Sequence, residues 1–465
     1  MHRRRLRAAG VLMAAGGWLA GCQSYEPHPL DPVAHRQAWL ARSAADADVA
    51  DFADRLERDD AASTIFDLTD GLDRPEAELV ALVYNPELRL TRLRAGIAGV
   101  TAEHAGRWTD PESGVDVLRI TESVSDPWVI SSGLTLTIPI SGRLEVERER
   151  ADTAHAVALL RVAEAEWRIR RDVRRAWAGW SHAALRVTET ERLVDSMTPL
   201  VESTTRLAAA GEMPRPEAAL FAIEQSRRRQ QLLRDRGEAA ATQQELRMLL
   251  GLSPQAPLRM NPSLAATNDT SATKRPGDLD SPTLRRVRAE YDLAEHTLHR
   301  EIRKQYPDLT IGPQYESDEG QSRVGFLGAI PLPILNANTQ GIAEARAERA
   351  LARASVETAW EQLVGARAVA MARLAAIEEE HDTLVTVVAP MVDGQVADAL
   401  RLLEFGEGGG LVLLESMVRA HETKMQLLAV RRDRTLAATT LAYLAGPPAR
   451  SSDHPTATHE PEDQE

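Results

Sequence analysis

The chain has 465 residues with 28 Gly, 25 Pro and one Cys, and its side chains are 43% hydrophobic but only 4% aromatic. That length allows two or three ordinary domains, gives no material for disulfides, and carries an Ala, Leu and Val bias that suits long packed helices rather than short-stranded sandwiches. A formal net charge of −14 disfavours nucleic acid as a partner, while a mean hydropathy of −0.31 without long apolar runs excludes a bundle of membrane-spanning helices but leaves a β-barrel open.

In chain order, residues 1–21 read as a signal peptide: Arg3, Arg4, Arg5 and Arg7 form a basic region and Val11 to Leu19 a short apolar one. It ends in Leu19-Ala20-Gly21-Cys22, which resembles the lipobox of bacterial lipoproteins, where the cysteine is acylated and becomes the new N-terminus. Cys22 is thus the expected lipidation site, and a covalent lipid there is the only cofactor-like group expected. Each buried acyl methylene contributes about 0.8 kcal/mol, enough for a multiply acylated residue to tether the chain to a bilayer. Gln23 follows, rather than the aspartate that marks inner-membrane retention in many such proteins, so the outer membrane is expected. Loss of the four signal arginines takes the formal net charge from −14 to −18. Residues 22–75 read as an N-terminal tether.

From residue 76 the chain is duplicated. Pro86-Glu87-Leu88 matches Pro282-Thr283-Leu284, Ile138-Pro139-Ile140 matches Leu332-Pro333-Ile334, Trp167 matches Trp360, and Gly211-Glu212 matches Gly406-Glu407, at offsets of 196, 194, 193 and 195. A shared register of that kind marks repeats of 76–252 and 280–446, joined by a Pro-, Ser- and Thr-rich linker at 253–279 and followed by an acidic tail, expected to be disordered, at 447–465. Each repeat runs helix, two strands, very long helix, tight turn, medium helix. Asn85 and Ser281 are N-caps ahead of Pro86 and Pro282, and their helices are expected to end near Trp108 and Gln305. Arg143 to Ala210 and Ile342 to Phe405 read as helices of 68 and 64 residues, roughly 100 and 95 Å long, with Pro390 as a kink in the second. Gly211 and Gly406 stop them, and shorter helices return over 217–250 and 411–445.

The strands carry the second signal. Trp128, Ile130, Leu134, Leu136 and Ile138 share one face of a strand whose other face bears Ser131, Gly133, Thr135 and Thr137. This is the length and alternation of an outer-membrane barrel strand, so the five apolar residues are expected to face lipid. Residues 113–121, 309–317 and 323–330 read as its companions. Four strands are too few to close a barrel, which needs about eight or more, so a barrel built from them requires several copies of the chain.

These residues resemble the TolC-like outer-membrane efflux proteins over about 71–446. The resemblance is carried by Glu76 to Arg89, by Leu136-Thr137-Ile138-Pro139-Ile140-Ser141-Gly142-Arg143, and by Tyr306-Pro307-Asp308-Leu309 and Ile330-Pro331-Leu332-Pro333. It implies a mainly α fold with a small β part: very long antiparallel helices forming a trimeric α-helical periplasmic barrel, with four strands per chain in a 12-stranded outer-membrane β-barrel. It also implies a homotrimer, seated in outer-membrane lipid, that docks to a periplasmic adaptor and an inner-membrane RND-type transporter. On that resemblance Gly211, Glu212, Gly406 and Glu407 are the adaptor-contact tips and Glu415 lines the periplasmic aperture, Val412 standing where relatives carry a second acid. The rival reading is a periplasmic scaffold or adaptor lipoprotein without a pore. No P-loop, nucleophile elbow, dinucleotide glycine motif or zinc-protease helix is present, so no catalytic residue is assigned. His296 and His299 sit three apart on a helix, but no third ligand accompanies them and no metal site is expected.

Overall fold

The computed structural model describes residues 24–58, 66–125, 127–265, 281–318, 321–405 and 410–447. The chain divides into units 1–42 and 43–465. In the first, helix α1 (Pro32–Leu40) starts at Asp31, whose carboxylate accepts from the N–H groups of Val33 and Ala34. In the second, α2 (Ala47–Arg58) and α3 (Arg74–Tyr84) lead into α4 (Pro86–His104), β1 (Glu112–Arg119), β2 (Trp128–Ile138), α5 (Arg143–Ala210) and α6 (Arg215–Leu250). The same order then returns as α7 (Pro282–Arg303), β3 (Leu309–Asp318), β4 (Gln321–Ala329), a long helix and α10 (Gly410–Ala445). That second long helix comprises α8 (Thr339–Thr383), one π turn (Leu384–Val388) and α9 (Ala389–Glu404).

Paired devices shape the two repeats. Asn85 accepts from the N–H groups of Glu87 and Leu88 at 3.0 and 3.1 Å, and Ser281 from that of Leu284 at 3.2 Å, so both opening helices are capped as their sequences require. Each long helix is entered through a left-handed residue, Gly142 at φ 68° and Asn338 at φ 53°. Asparagine tolerates that conformation because its side chain bonds locally. The Asn338 amide donates to the backbone oxygen and the carboxylate of Glu301, both at 2.9 Å. Burial pushes the Glu301 carboxyl up, but hydrogen bonds from Lys304, Asn338 and Arg300 outweigh it and hold the group at about 2.

Helix ends differ from expectation in two places. α4 stops at His104 rather than near Trp108, because Ala105 is extended and Gly106 turns at φ 65°, where an added Cβ would lie 2.4 Å from the Leu144 carbonyl oxygen. α7 likewise stops at Arg303. At Pro390, where a kink is expected, the structure shows a π turn just before the proline, in which the Ala389 N–H bonds to the Leu384 oxygen. A widened turn accommodates a ring that lacks an N–H and would clash with the carbonyl four residues back. A second proline, Pro199, lies inside α5, which continues through it as one helix of 68 residues.

α5 packs against α4 and α6 of its own repeat and against α7 and α10 of the other, while α8 packs against α7 and α10. A helix of about 100 Å is thereby covered by shorter ones stacked along it. The main core gathers Val80, Leu82, Leu88, Ile169, Trp177, Leu246 and Leu250, with Trp177 set edge-on to Trp180 at 5.2 Å. Part of residues 253–265, the first stretch of the expected linker, is anchored to the core: Ser253 and Ala256 are buried and Leu72 bridges to Met260. The rest of that linker and the acidic tail from 448 lie outside the described residues.

One position tests this packing directly. At Gly251, φ is +75° and an added Cβ would sit 2.1 Å from the Tyr84 carbonyl oxygen, whereas at Gly179, within α5, it would meet nothing within 4 Å. Gly251→Ala is expected to cost about 2 kcal/mol or more in denaturant unfolding, and Gly179→Ala to be neutral or stabilising by about 0.5 kcal/mol.

Candidate functional site

The four strands form one antiparallel sheet in the order β1-β2-β3-β4. Directly paired residues share a face, so the register sorts every side chain. Val117 lies opposite Ile130, Leu136 opposite Ile311, Pro313 opposite Phe326 and Tyr315 opposite Val324. One face therefore carries Val115, Val117, Trp128, Ile130, Leu134, Leu136, Ile138, Ile311, Tyr315, Val324 and Phe326. The other is mainly polar, carrying Glu112, Asp116, Ser131, Thr135, Thr137, Thr310, Gln314, Glu316, Asp318 and Arg323, with Leu118, Val129 and Leu327 among them. On the polar face Arg323 pairs with Glu316 at 3.0 Å and with Asp318 at 3.3 Å, and the Thr137 and Thr310 hydroxyls meet at 3.1 Å.

Among the described residues no other element covers the apolar face. The strands pack extensively only on one another. Trp128 is 49% exposed, Ile130 44%, Leu134 47% and Phe326 70%. Of the five strand residues read from sequence, these first three are exposed, while Leu136 and Ile138 are half-buried toward the helical end. At the far end Arg119 lies over the Trp128 ring at 5.7 Å. Val115, Val117, Val324 and Phe326 complete the face and were not singled out from sequence. Their signal is the alternation Val115-x-Val117 and Val324-x-Phe326, too short to stand out until pairing aligns it with β2. Close approach of the strands is fixed at Gly312, where a Cβ would lie 1.7 Å from the Leu134 oxygen.

The distal helix ends form the second part of the candidate site. Gly211, at φ 78°, closes α5: its N–H bonds to the Ala208 oxygen at 3.3 Å and that of Glu212 to the Leu207 oxygen at 2.9 Å. Gly406 and Glu407 lie outside the described residues, as does Cys22. Gly410, opening α10, sits against the Phe221 ring, and Phe221 packs with Leu193, Met197 and Leu414, so the two repeats meet here. Glu415 is exposed on the adjoining face of α10 and pairs with Arg419 at 2.7 Å. Val412 is 51% exposed on that face. His296 lies 3.7 Å from Glu149, while His299 accepts from Arg303 at 3.2 Å, so the two face different partners.

Between these ends lies a buried polar cluster that sequence reading missed, because its members come from three helices. Asp235 of α6 is 2% exposed and accepts from Arg186, from Thr190 at 3.0 Å and from Gln231 at 2.8 Å. His182 of α5 and His421 of α10 flank it, 8% and 5% exposed. Burial first, then Arg432 and Arg186, hold the His182 imidazole down at about 4. Burial, Arg228, Lys424 and Arg186 hold His421 at about 4 as well, against the opposing pull of Asp235.

No protein-family model matches the chain, and no curated protein matches it. Solved structures do. CusC, whose crystal structures concern folding and transmembrane channel formation, superposes with a TM-score of 0.69 at 13% identity, covering 92% of this chain and 100% of that one. VceC, an outer membrane protein of Vibrio cholerae, gives 0.67 at 15% identity over 80% of this chain and 96% of its own. The open state of the MtrE outer membrane channel of Neisseria gonorrhoeae gives 0.65 at 16% identity over 80% and 89%. The chain therefore has the fold of the TolC-like outer-membrane channels.

The histidines yield a pH prediction. Both imidazoles sit at about 4 when folded against an ordinary 6.5, so the folded chain binds fewer protons than the unfolded one between those values. Stability present above pH 6.5 is expected to fall as pH drops toward 4, by roughly 3 kcal/mol per histidine at the acid end. Denaturant unfolding of His182→Gln/His421→Gln across this range should show a flatter pH dependence than the parent chain.

Proposed function

We propose that this chain is the outer-membrane component of a tripartite efflux system, a passive exit duct that carries small molecules or cations across the periplasm and the outer membrane. The observation that carries the reading is the two-faced sheet: an uncovered apolar face, a polar opposite face and two outer strands, on a chain whose helices reach about 100 Å. In water such a face is a liability. In a bilayer it is the outer wall of a barrel, and the polar face lines a hydrated lumen.

Closure needs several copies, and three supply twelve strands. A homotrimer of this kind places the long helices side by side as a periplasmic tunnel. Cys22, acylated, would add a lipid anchor in the outer membrane. The tips at Gly211-Glu212 and Gly406-Glu407 would meet a periplasmic adaptor and, through it, an inner-membrane RND-type transporter that supplies the energy. No step of this function asks for catalysis, a metal or a cofactor within the chain. Glu415 would line the aperture as one acid of a ring of three, its charge partly offset by Arg419. Like charges converging in a narrow mouth favour cations.

The test is single-channel recording of the acylated mature protein in planar bilayers, alongside Glu415→Gln. Discrete cation-favouring conductance steps are expected, with selectivity reduced severalfold in the variant. A folded, membrane-tethered protein that stays silent even after removal of both tips would overturn the duct in favour of a scaffold.

A further inference from the structure

The strand register sorts the charges as well as the apolar groups. Glu112, Asp116, Glu316, Asp318 and Arg323 all fall on the mainly polar face, because each pairs across the sheet with residues of that face. The apolar face carries a single charged side chain among the described residues, Arg119, whose partner on the neighbouring strand is Trp128. Arg323 is neutralised by Glu316 at 3.0 Å and Asp318 at 3.3 Å. Arg119 is exposed, forms no ion pair among the described residues, and lies over the Trp128 ring at 5.7 Å.

Its height on the face is as informative as its charge. β2 has 11 residues, with Trp128 at one end and Ile138 at the other. At about 3.3 Å per residue these two stand roughly 33 Å apart along the strand, and at a barrel tilt of about 40° roughly 25 Å apart in height, which matches the apolar band of an outer-membrane barrel. Ile138 pairs with Leu309 at the helical end, where Trp108 and Tyr306, 54% and 56% exposed, stand just before β1 and β3. Trp128 and Arg119 therefore mark the opposite edge, at the level of the outer-leaflet headgroups. A guanidinium keeps its charge throughout the physiological pH range, so on a lipid-facing surface it is tolerated at a headgroup edge and costly at the midplane.

We propose that Arg119 and Trp128 form a binding site for a lipid phosphate at the outer rim of the sheet, one per chain. This rests on the duct reading and adds a class of lipid that the barrel selects. The planar guanidinium offers two parallel N–H groups to two phosphate oxygens, and the Trp128 ring attracts the cation through its π face while its apolar body beds among acyl chains at the headgroup level. The headgroup class follows from the company the arginine keeps. Among the described residues no carboxylate shares its face, so nothing there receives the ammonium of a zwitterionic lipid, and a headgroup of phosphate monoesters without a balancing cation fits the site.

The experiment is native mass spectrometry of the acylated mature protein in detergent, with lipid A, a glycolipid carrying phosphate monoesters, and phosphatidylcholine as probes. The parent should retain one lipid A per chain and severalfold more of it than of phosphatidylcholine. Arg119→Gln should lose that preference severalfold, Arg119→Lys should keep part of it as a charge without the fork, and Arg94→Gln, on the exposed face of α4, should keep all of it. Inorganic phosphate in excess should leave the lipid bound; its release would show an anion site indifferent to lipid and reject the proposal. In the unsubstituted protein, lipid A should shield Arg119, and not Arg94, from phenylglyoxal when modification is read by peptide mass spectrometry, a test that needs no variant to fold. An Arg119→Gln protein that conducts in planar bilayers yet holds lipid A as the parent does overturns this site and leaves the duct reading standing. A parent chain that does not enter bilayers overturns both.

Discussion

A helix of 68 residues cannot be buried by an ordinary domain, and that constraint organises the chain. Such a helix offers apolar surface along its whole length, and no single shorter partner can cover it. The chain meets this with two shorter helices from the same repeat, α4 of 19 residues and α6 of 36, stacked along α5, and with α7 and α10 from the other repeat. Because α5 is flanked by both repeats while α8 is flanked on fewer sides, the single chain is saturated at one end and uncovered at the other.

Local chemistry sets where these long elements begin and end. Left-handed residues at Gly142 and Asn338 swing the chain from sheet to helix, and Gly211 and Gly251 stop the helices by satisfying terminal carbonyls. Between those points the helices hold polar as well as apolar contacts. The Asp235 cluster binds α5 to α6 by charge-assisted hydrogen bonds within a buried site, where losing one partner would leave the others unsatisfied. Two imidazoles kept neutral beside four cationic side chains make the same region stiff at neutral pH and acid-sensitive below it.

Much of this was legible in the sequence. The bounds of α5 follow from Gly142 and Gly211, the strand alternation from β2, and the repeat from prolines and glycines that recur at a near-constant offset. What escaped reading was set by tertiary context. Pro199 sits within a helix that runs unbroken through it, although proline alone argues for a break. Residues 253–265 look like linker by composition, yet Ala256, Leu258 and Met260 among them join the core. The tether expected over 22–75 contains α2, which buries Val49 and Ala53, because its apolar positions are too few to stand out. The second face of the sheet needed register, which period-2 patterns in short strands do not supply.

The pairing of β2 with β3 joins Ile138 to Leu309, positions 171 residues apart in the chain. Each hairpin can form from neighbours, but this central seam must wait until three helices, α5, α6 and α7, and a linker lie between its ends, and closing so large a loop has an entropic cost that slows the step. The order of assembly follows: hairpins and helices early, the full sheet last. The uncovered apolar face of the sheet is thus complete only once the chain has been made at least as far as the end of β4 at Ala329.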